Sequence, residues 1–180
     1  RYKIKFKNLI ISFILMTIVI PVFTTIIPIY SFFMEHSMLD SMLWTSVIFI
    51  SAFIPLNIWI IMNYFRELPE DLWEAAAIEG ANERQLFFQI GLPLAKPIIL
   101  TSSLIIFLMS RKQYIIPMLL LSSHNNKVLT LIMSEFMTRD AINYSVIAMS
   151  GIIVIIPPLL ASIIFRKNLV SGLTAGSVKE

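Results

Sequence analysis

Apolar runs decide what this chain can fold into. Four of them, at 9–32, 42–64, 97–121 and 144–165, each reach the roughly 20 residues an α-helix needs to cross a hydrocarbon core. A helix satisfies its own backbone hydrogen bonds in lipid, and the period-two alternation expected of barrel strands is absent. The expected fold is therefore all-α, a polytopic transmembrane bundle of about four spans. Composition agrees: 57% of residues are hydrophobic, 14% are charged and the mean hydropathy is +0.82, outside the range of a soluble domain.

The basic residues orient the spans. Arg1, Lys3, Lys5 and Lys7 precede the first; Arg66, Arg84 and Lys96 lie between the second and third; Arg166, Lys167 and Lys179 follow the fourth. The alternate loops hold only Lys127 and Arg139. The positive-inside rule then makes both termini and the long middle loop cytoplasmic, with Glu35 to Ser41 and Ser122 to Asn143 facing outward. A net charge of +3 forms no basic stripe interleaved with aromatics, so nucleic acid is not an expected partner. There is no cysteine, which excludes disulfides, thiolate metal sites and cysteine nucleophiles. The chain opens at Arg1, which leaves a longer precursor or a fragment open. Its first apolar run is too long for a signal-peptide core and lacks a small-residue cleavage site, so it reads as a retained span.

Prolines at 21, 28, 55, 117, 157 and 158 fall within or at the ends of spans and should kink the helices or loosen their ends. No internal repeat or low-complexity linker stands out, and residues 1–180 read as a single transmembrane domain.

The middle loop, Leu68 to Pro97, reads as two short helices with a corner. Pro69 suits a first helical position, Glu70, Asp71 and Glu74 favour the positive end of the helix dipole, and Ala75, Ala76 and Ala77 are strong helix formers. Gly80 can end that helix in a left-handed conformation. Asn82 with Gln85 predicts a capping box for a second helix, whose apolar face is Leu86, Phe87 and Ile90 and which Pro93 should stop. Such an amphipathic elbow suits docking into a groove on another protein.

This loop resembles that of a known family. Glu74-Ala75-Ala76, then Ala77 and two further residues, Gly80, then nine residues from Ala81 onward, Ile90, one residue, and Leu92-Pro93 match the EAA motif of ABC importer permeases. The ending Gly172-Leu173-Thr174-Ala175-Gly176 and the first-span pieces Ile20-Pro21 and Ile26-Ile27-Pro28-Ile29-Tyr30 are similar to the maltose-type, carbohydrate-uptake branch. The resemblance covers nearly the whole chain, although family members usually carry about two further spans at the N-terminus. It implies that the loop docks on a cytoplasmic ATP-binding cassette ATPase dimer, which holds ATP and Mg. It further implies a second permease subunit, an extracellular solute-binding protein and a location in the bacterial inner membrane.

Within the third run, Arg111 and Lys112 interrupt the apolar sequence near its middle. Each such charge costs roughly 2.5 to 3.5 kcal/mol at the bilayer centre. No acidic residue falls within a predicted span, so their counter-charge must come from a partner subunit, water or a substrate. Related permeases usually carry a Trp-Asn stretch here, where this chain has Arg111-Lys112-Gln113-Tyr114 before Pro117. These four residues are the candidate substrate path. An anionic solute is one reading, and pairing between subunits or snorkelling of the basic heads is another.

Other chemistry finds no support in the sequence. There is no phosphate-binding Gly-x-x-x-x-Gly-Lys-Ser/Thr loop and no nucleophile elbow, and His36 and His124 have no second ligand at helical spacing. The expected function is a non-enzymatic permease subunit of an ATP-driven sugar importer. The alternatives are a non-transporting or truncated membrane scaffold, and a permease for a different anionic solute.

Overall fold

In the computed structural model the backbone is described for residues 5–123, 126–136 and 144–174, and the side chains for the same residues except Val22 and 167–174. His124, the outer residues 137–143 with Arg139, and the Ala175–Gly176 end of the tail motif lie outside the described residues.

Among the described residues all regular structure is helical. The order is α1 (Lys7–Val19), α2 (Val22–Glu35), α3 (Met42–Glu67), α4 (Asp71–Ile78), α5 (Glu83–Gln85), a π-helical turn (Leu86–Gly91), α6 (Leu92–Arg111), α7 (Ile115–Leu120), α8 (Leu129–Glu135) and α9 (Tyr144–Thr174). Three stretches, Met42–Glu67, Glu83–Arg111 and Tyr144–Arg166, are single helical rods long and apolar enough to cross a membrane. Along the last of these Ile152, Ile155, Ile163 and Ile164 are all exposed. Apolar surface on that scale belongs against lipid or another membrane helix.

Two expected spans have different bounds. The run 9–32 is not one straight helix: α1 and α2 meet at a 93° bend, with Ile20 and Pro21 both extended between them. Proline pushes the residue before it out of the helical region and cannot donate to the preceding turn, so Ile20-Pro21 breaks the run. Pro28, Pro55, Pro157 and Pro158 instead lie inside continuous helices.

The third rod begins earlier than 97 and ends at Arg111 rather than 121, because Pro93 does not stop the helix that starts at Glu83. A π-turn ends at Gly91, two residues before Pro93, and the Leu92 N–H reaches back five residues to the Phe87 carbonyl. That wider turn draws the preceding carbonyls away from where the pyrrolidine ring would collide with them.

The chain divides into two compact units, each made of two segments. One comprises Arg1–Leu56 and Phe107–Leu159, the other Asn57–Ile106 and Leu160–Glu180. In the first, Ile26 and Phe33 of α2 bury against Ile116 and Leu120 of α7. A polar clasp holds the adjoining loops. The Asp40 carboxylate accepts from the Ser123 N–H at 2.8 Å, the Asp40 N–H donates to the Leu120 carbonyl at 2.7 Å, and the Asn126 amide donates to the Asp40 carbonyl at 2.6 Å. In the second unit, the Tyr64 hydroxyl of α3 donates to the Leu94 carbonyl of α6 at 2.8 Å. Small buried residues, Ala95 and Ser102, mark the face of α6 suited to close helix approach.

Candidate functional site

The elbow forms much as its residues dictate. Helix α4 opens with Asp71 and Glu74 in its first turn; Glu70, rather than Pro69, is the flanking residue, and it already has helical dihedrals. Its end is a Schellman arrangement: the Gly80 N–H donates to the Ala77 carbonyl and the Ala81 N–H to the Ala76 carbonyl, each at 3.1 Å. Gly80 has φ +84°, with nothing within 4 Å of where a Cβ would stand. Backbone conformation, not space, therefore demands glycine there. Asn82 and Gln85 form the full capping box, with both bonds at 2.9 Å.

Sequence reasoning missed how the elbow is braced. Trp73 points inward from α4, its ring 6.4 Å from that of Phe65 at the end of α3. It lies so close to the π-turn that a Cβ on Gly91 would stand 3.2 Å from its Cη2. Gly91, in mid-helix with no turn to make, was the available signal, since glycine in a helix costs about 1 kcal/mol unless close packing requires it.

The predicted docking residues then sort by face. Glu74, Ala75, Ala77, Gly80, Leu92 and Pro93 are exposed, whereas Ala76, Ala81 and Ile90 are half-buried on the braced side. Leu86 joins Ile90, but Phe87 does not: it is exposed, and packs edge-on to exposed Phe88 with ring centroids 5.0 Å apart. Ile78 is 86% exposed. The exposed residues of the elbow thus include apolar Ile78, Phe87 and Phe88 and the carboxylates of Asp71, Glu74 and Glu79.

The second candidate lies at the far end of α6. Arg111 is the last residue of that helix rather than the middle of a span, because the 20 residues from Leu92 already suffice for a crossing. The Lys112 and Gln113 N–H groups close the helix end on the Met109 and Ser110 carbonyls. Of the four predicted path residues the structure brings two together. Arg111 and Gln113 line a cavity of about 300 Å³ with Phe49, Ser110, Thr130 and Val154, while Lys112 and Tyr114 are exposed and do not line it. A one-residue step along a tightening helix end turns the neighbouring side chain away.

Three contacts fix this cavity. Thr130 donates its hydroxyl to the Gln113 carbonyl at 3.1 Å. The Arg111 guanidinium stands 5.7 Å over the Phe107 ring and donates from Nη2 to the Val154 carbonyl at 3.3 Å. Val154 lies four residues before Pro158, so its carbonyl has no α-helical N–H to accept and the arginine supplies one.

Three long apolar rods, a bent helix pair and an exposed, braced elbow between two of the rods define a multi-pass helical protein of the cell membrane. The chain belongs to the family described as the binding-protein-dependent transport system inner membrane component, whose profile it matches over residues 1–174. It is 32% identical over 127 residues to the trehalose/maltose transport system permease protein MalG of Thermococcus litoralis, covering 70% of this chain and 46% of that protein. It is 29% identical to the maltodextrin transport system permease protein MdxG of Bacillus subtilis and 26% identical to the melibiose/raffinose/stachyose import permease protein MelC of the same organism. Each of these two matches spans 99% of this chain and 65% of the relative. The chain therefore spans less than two thirds of the length of these relatives.

Proposed function

We propose that this chain is a permease subunit of an ATP-driven importer for a sugar or oligosaccharide, and that α4 with its Gly80 corner couples it to a separate ATPase. The supporting observation is mechanical. A short helix with an apolar, acidic outer face is pinned through Trp73 to the π-turn that begins the rod Glu83–Arg111. A push on Ile78 or Glu74 is passed to a membrane-crossing helix instead of being lost in a loop. The names of the relatives, permeases for maltose, maltodextrin and raffinose-type sugars, support the substrate class.

The positive-inside pattern puts the elbow on the cytoplasmic side, where the ATPase dimer with its ATP and Mg would dock. A second permease subunit would complete the path, and an extracellular binding protein would deliver solute to the opposite side. The cavity at Arg111 belongs to that path in this reading. The test is ATPase stimulation by loaded binding protein in the reconstituted complex. Gly80→Pro and Glu74→Lys should each lower it by about tenfold or more while the subunits still assemble. Unchanged stimulation in both variants overturns the coupling role.

A further inference from the structure

Resting on the reading of this chain as a sugar permease, we infer that the cavity at Arg111 receives a sugar bearing a carboxylate, with the guanidinium as its counter-charge. Among the described residues, the cavity's lining carries one charge, Arg111, and no acidic residue. Among the described residues the ion pair within 4 Å is Lys127 with Glu135, which leaves Arg111 without a carboxylate partner.

A guanidinium has five N–H donors in a planar fork, and the contacts described engage one of them, on Val154. That bond, with the Phe107 ring beneath, orients the fork before any ligand arrives. A preoriented fork beside a cavity matches a carboxylate, which accepts two parallel bonds.

The rest of the lining suits the remainder of a sugar ring. Ser110, Gln113 and Thr130 offer polar groups for hydroxyls, and Phe49 with Val154 offers apolar surface for the C–H face. At about 300 Å³ the volume is at the small end of ligand pockets, room for a single ring. Arg111 is half-buried, and an anionic cargo would neutralise its charge in transit.

The test is uptake by cells carrying the complete transporter, with a glucuronate-terminated disaccharide, its neutral glucose counterpart and the corresponding sugar phosphate as probes. Membrane levels of each variant are checked by immunoblot. At matched membrane levels Arg111→Gln should lower uptake of the glucuronate sugar about tenfold or more, and by much more than it lowers any neutral uptake, with Arg111→Lys recovering part of the loss. Equal loss of neutral and acidic uptake, or wild-type transport of the neutral sugar alone, overturns the inference and leaves the permease reading standing. Arginine-dependent uptake of the phosphate but not the glucuronate overturns the carboxylate assignment. Should the wild type take up none of the probes and show no ATPase stimulation by loaded binding protein, the permease reading falls with it.

Discussion

The indole of Trp73 occupies the space a side chain at Gly91 would need: a Cβ there would stand 3.2 Å from Cη2 and 3.5 Å from Cζ3. This ties α4 to the π-turn, and it makes Gly91 sensitive to any side chain larger than a methyl group.

Gly91→Ala adds a methyl that normally favours a helix by about 1 kcal/mol, against a contact that Trp73 must yield by a few tenths of an ångström. The two effects should nearly cancel in thermal stability. Gly91→Leu has no such balance and should displace the indole, lowering stability by about 1 to 3 kcal/mol and reducing ATPase stimulation. Melting curves of the purified variants, with stimulation assays beside them, check both. A Gly91→Leu protein as stable and as well coupled as the parent would show that the brace does not transmit motion.

Gly80 gives a different signature because its constraint lies in φ alone. Gly80→Ala should cost about 1 to 2 kcal/mol, the penalty of a left-handed alanine, and Gly80→Asn noticeably less. With open space around the position, no steric term should enter. Equal losses for alanine and asparagine would show that something other than the backbone selects glycine.

These two glycines also show what was legible in the sequence. Gly80, the Asn82–Gln85 box and the existence of α4 are written in neighbouring residues, through propensity and capping, and the structure reproduces them. The bounds of the third span are not legible locally, because Pro93 reads as a stop in its own neighbourhood whereas a π-turn upstream accommodates it. The apolar run alone therefore puts Arg111 in mid-span instead of at a helix end, and adjacency in sequence groups Lys112 and Tyr114 with it although they do not line the cavity. The Trp73–Gly91 brace, the Tyr64–Leu94 bond and the Asp40 clasp join residues 18, 30 and 80 or more positions apart, which local patterns do not encode.

The clasp predicts a pH dependence. Hydrogen bonds from the Ser123 side chain and backbone hold the Asp40 carboxyl below its ordinary value of 3.8. A carboxylate with a depressed folded-state pKa stabilises the fold above its unfolded value, and that contribution is lost as the pH falls through the lower folded value. Thermal stability should thus be insensitive to Asp40 titration above about pH 5 and decline below about pH 4. Asp40→Asn should melt lower at neutral pH, and its deficit should shrink on acidification. A deficit independent of pH would mean that the carboxylate charge plays no part in the clasp.

Arg111 and Pro158 make a linked pair. Pro158→Ala restores an N–H that can bond to the Val154 carbonyl within α9, so the arginine is no longer needed there. Arg111→Gln alone should destabilise by about 1 to 2 kcal/mol, since it strands a half-buried carbonyl, and the same change in a Pro158→Ala background should cost less. A double-mutant cycle on melting free energies measures the difference. Strict additivity would show that Arg111 does not serve the carbonyl that Pro158 leaves free.

The 26 residues of α3 extend about 39 Å at 1.5 Å per residue, more than the roughly 30 Å hydrocarbon core they would cross. The loop before this helix and the elbow after it should therefore face opposite sides. Because the 180-residue sequence contains no cysteine, single cysteines placed there report without background. His36→Cys, exposed at the end of α2, should react with an impermeant maleimide in intact cells, and Ile78→Cys, at the tip of α4, only after the membrane is opened. Labelling of both positions in intact cells would mean that α3 does not cross the bilayer. Labelling of Ile78→Cys alone would put the elbow outside, out of reach of an ATPase, and end the coupling proposal.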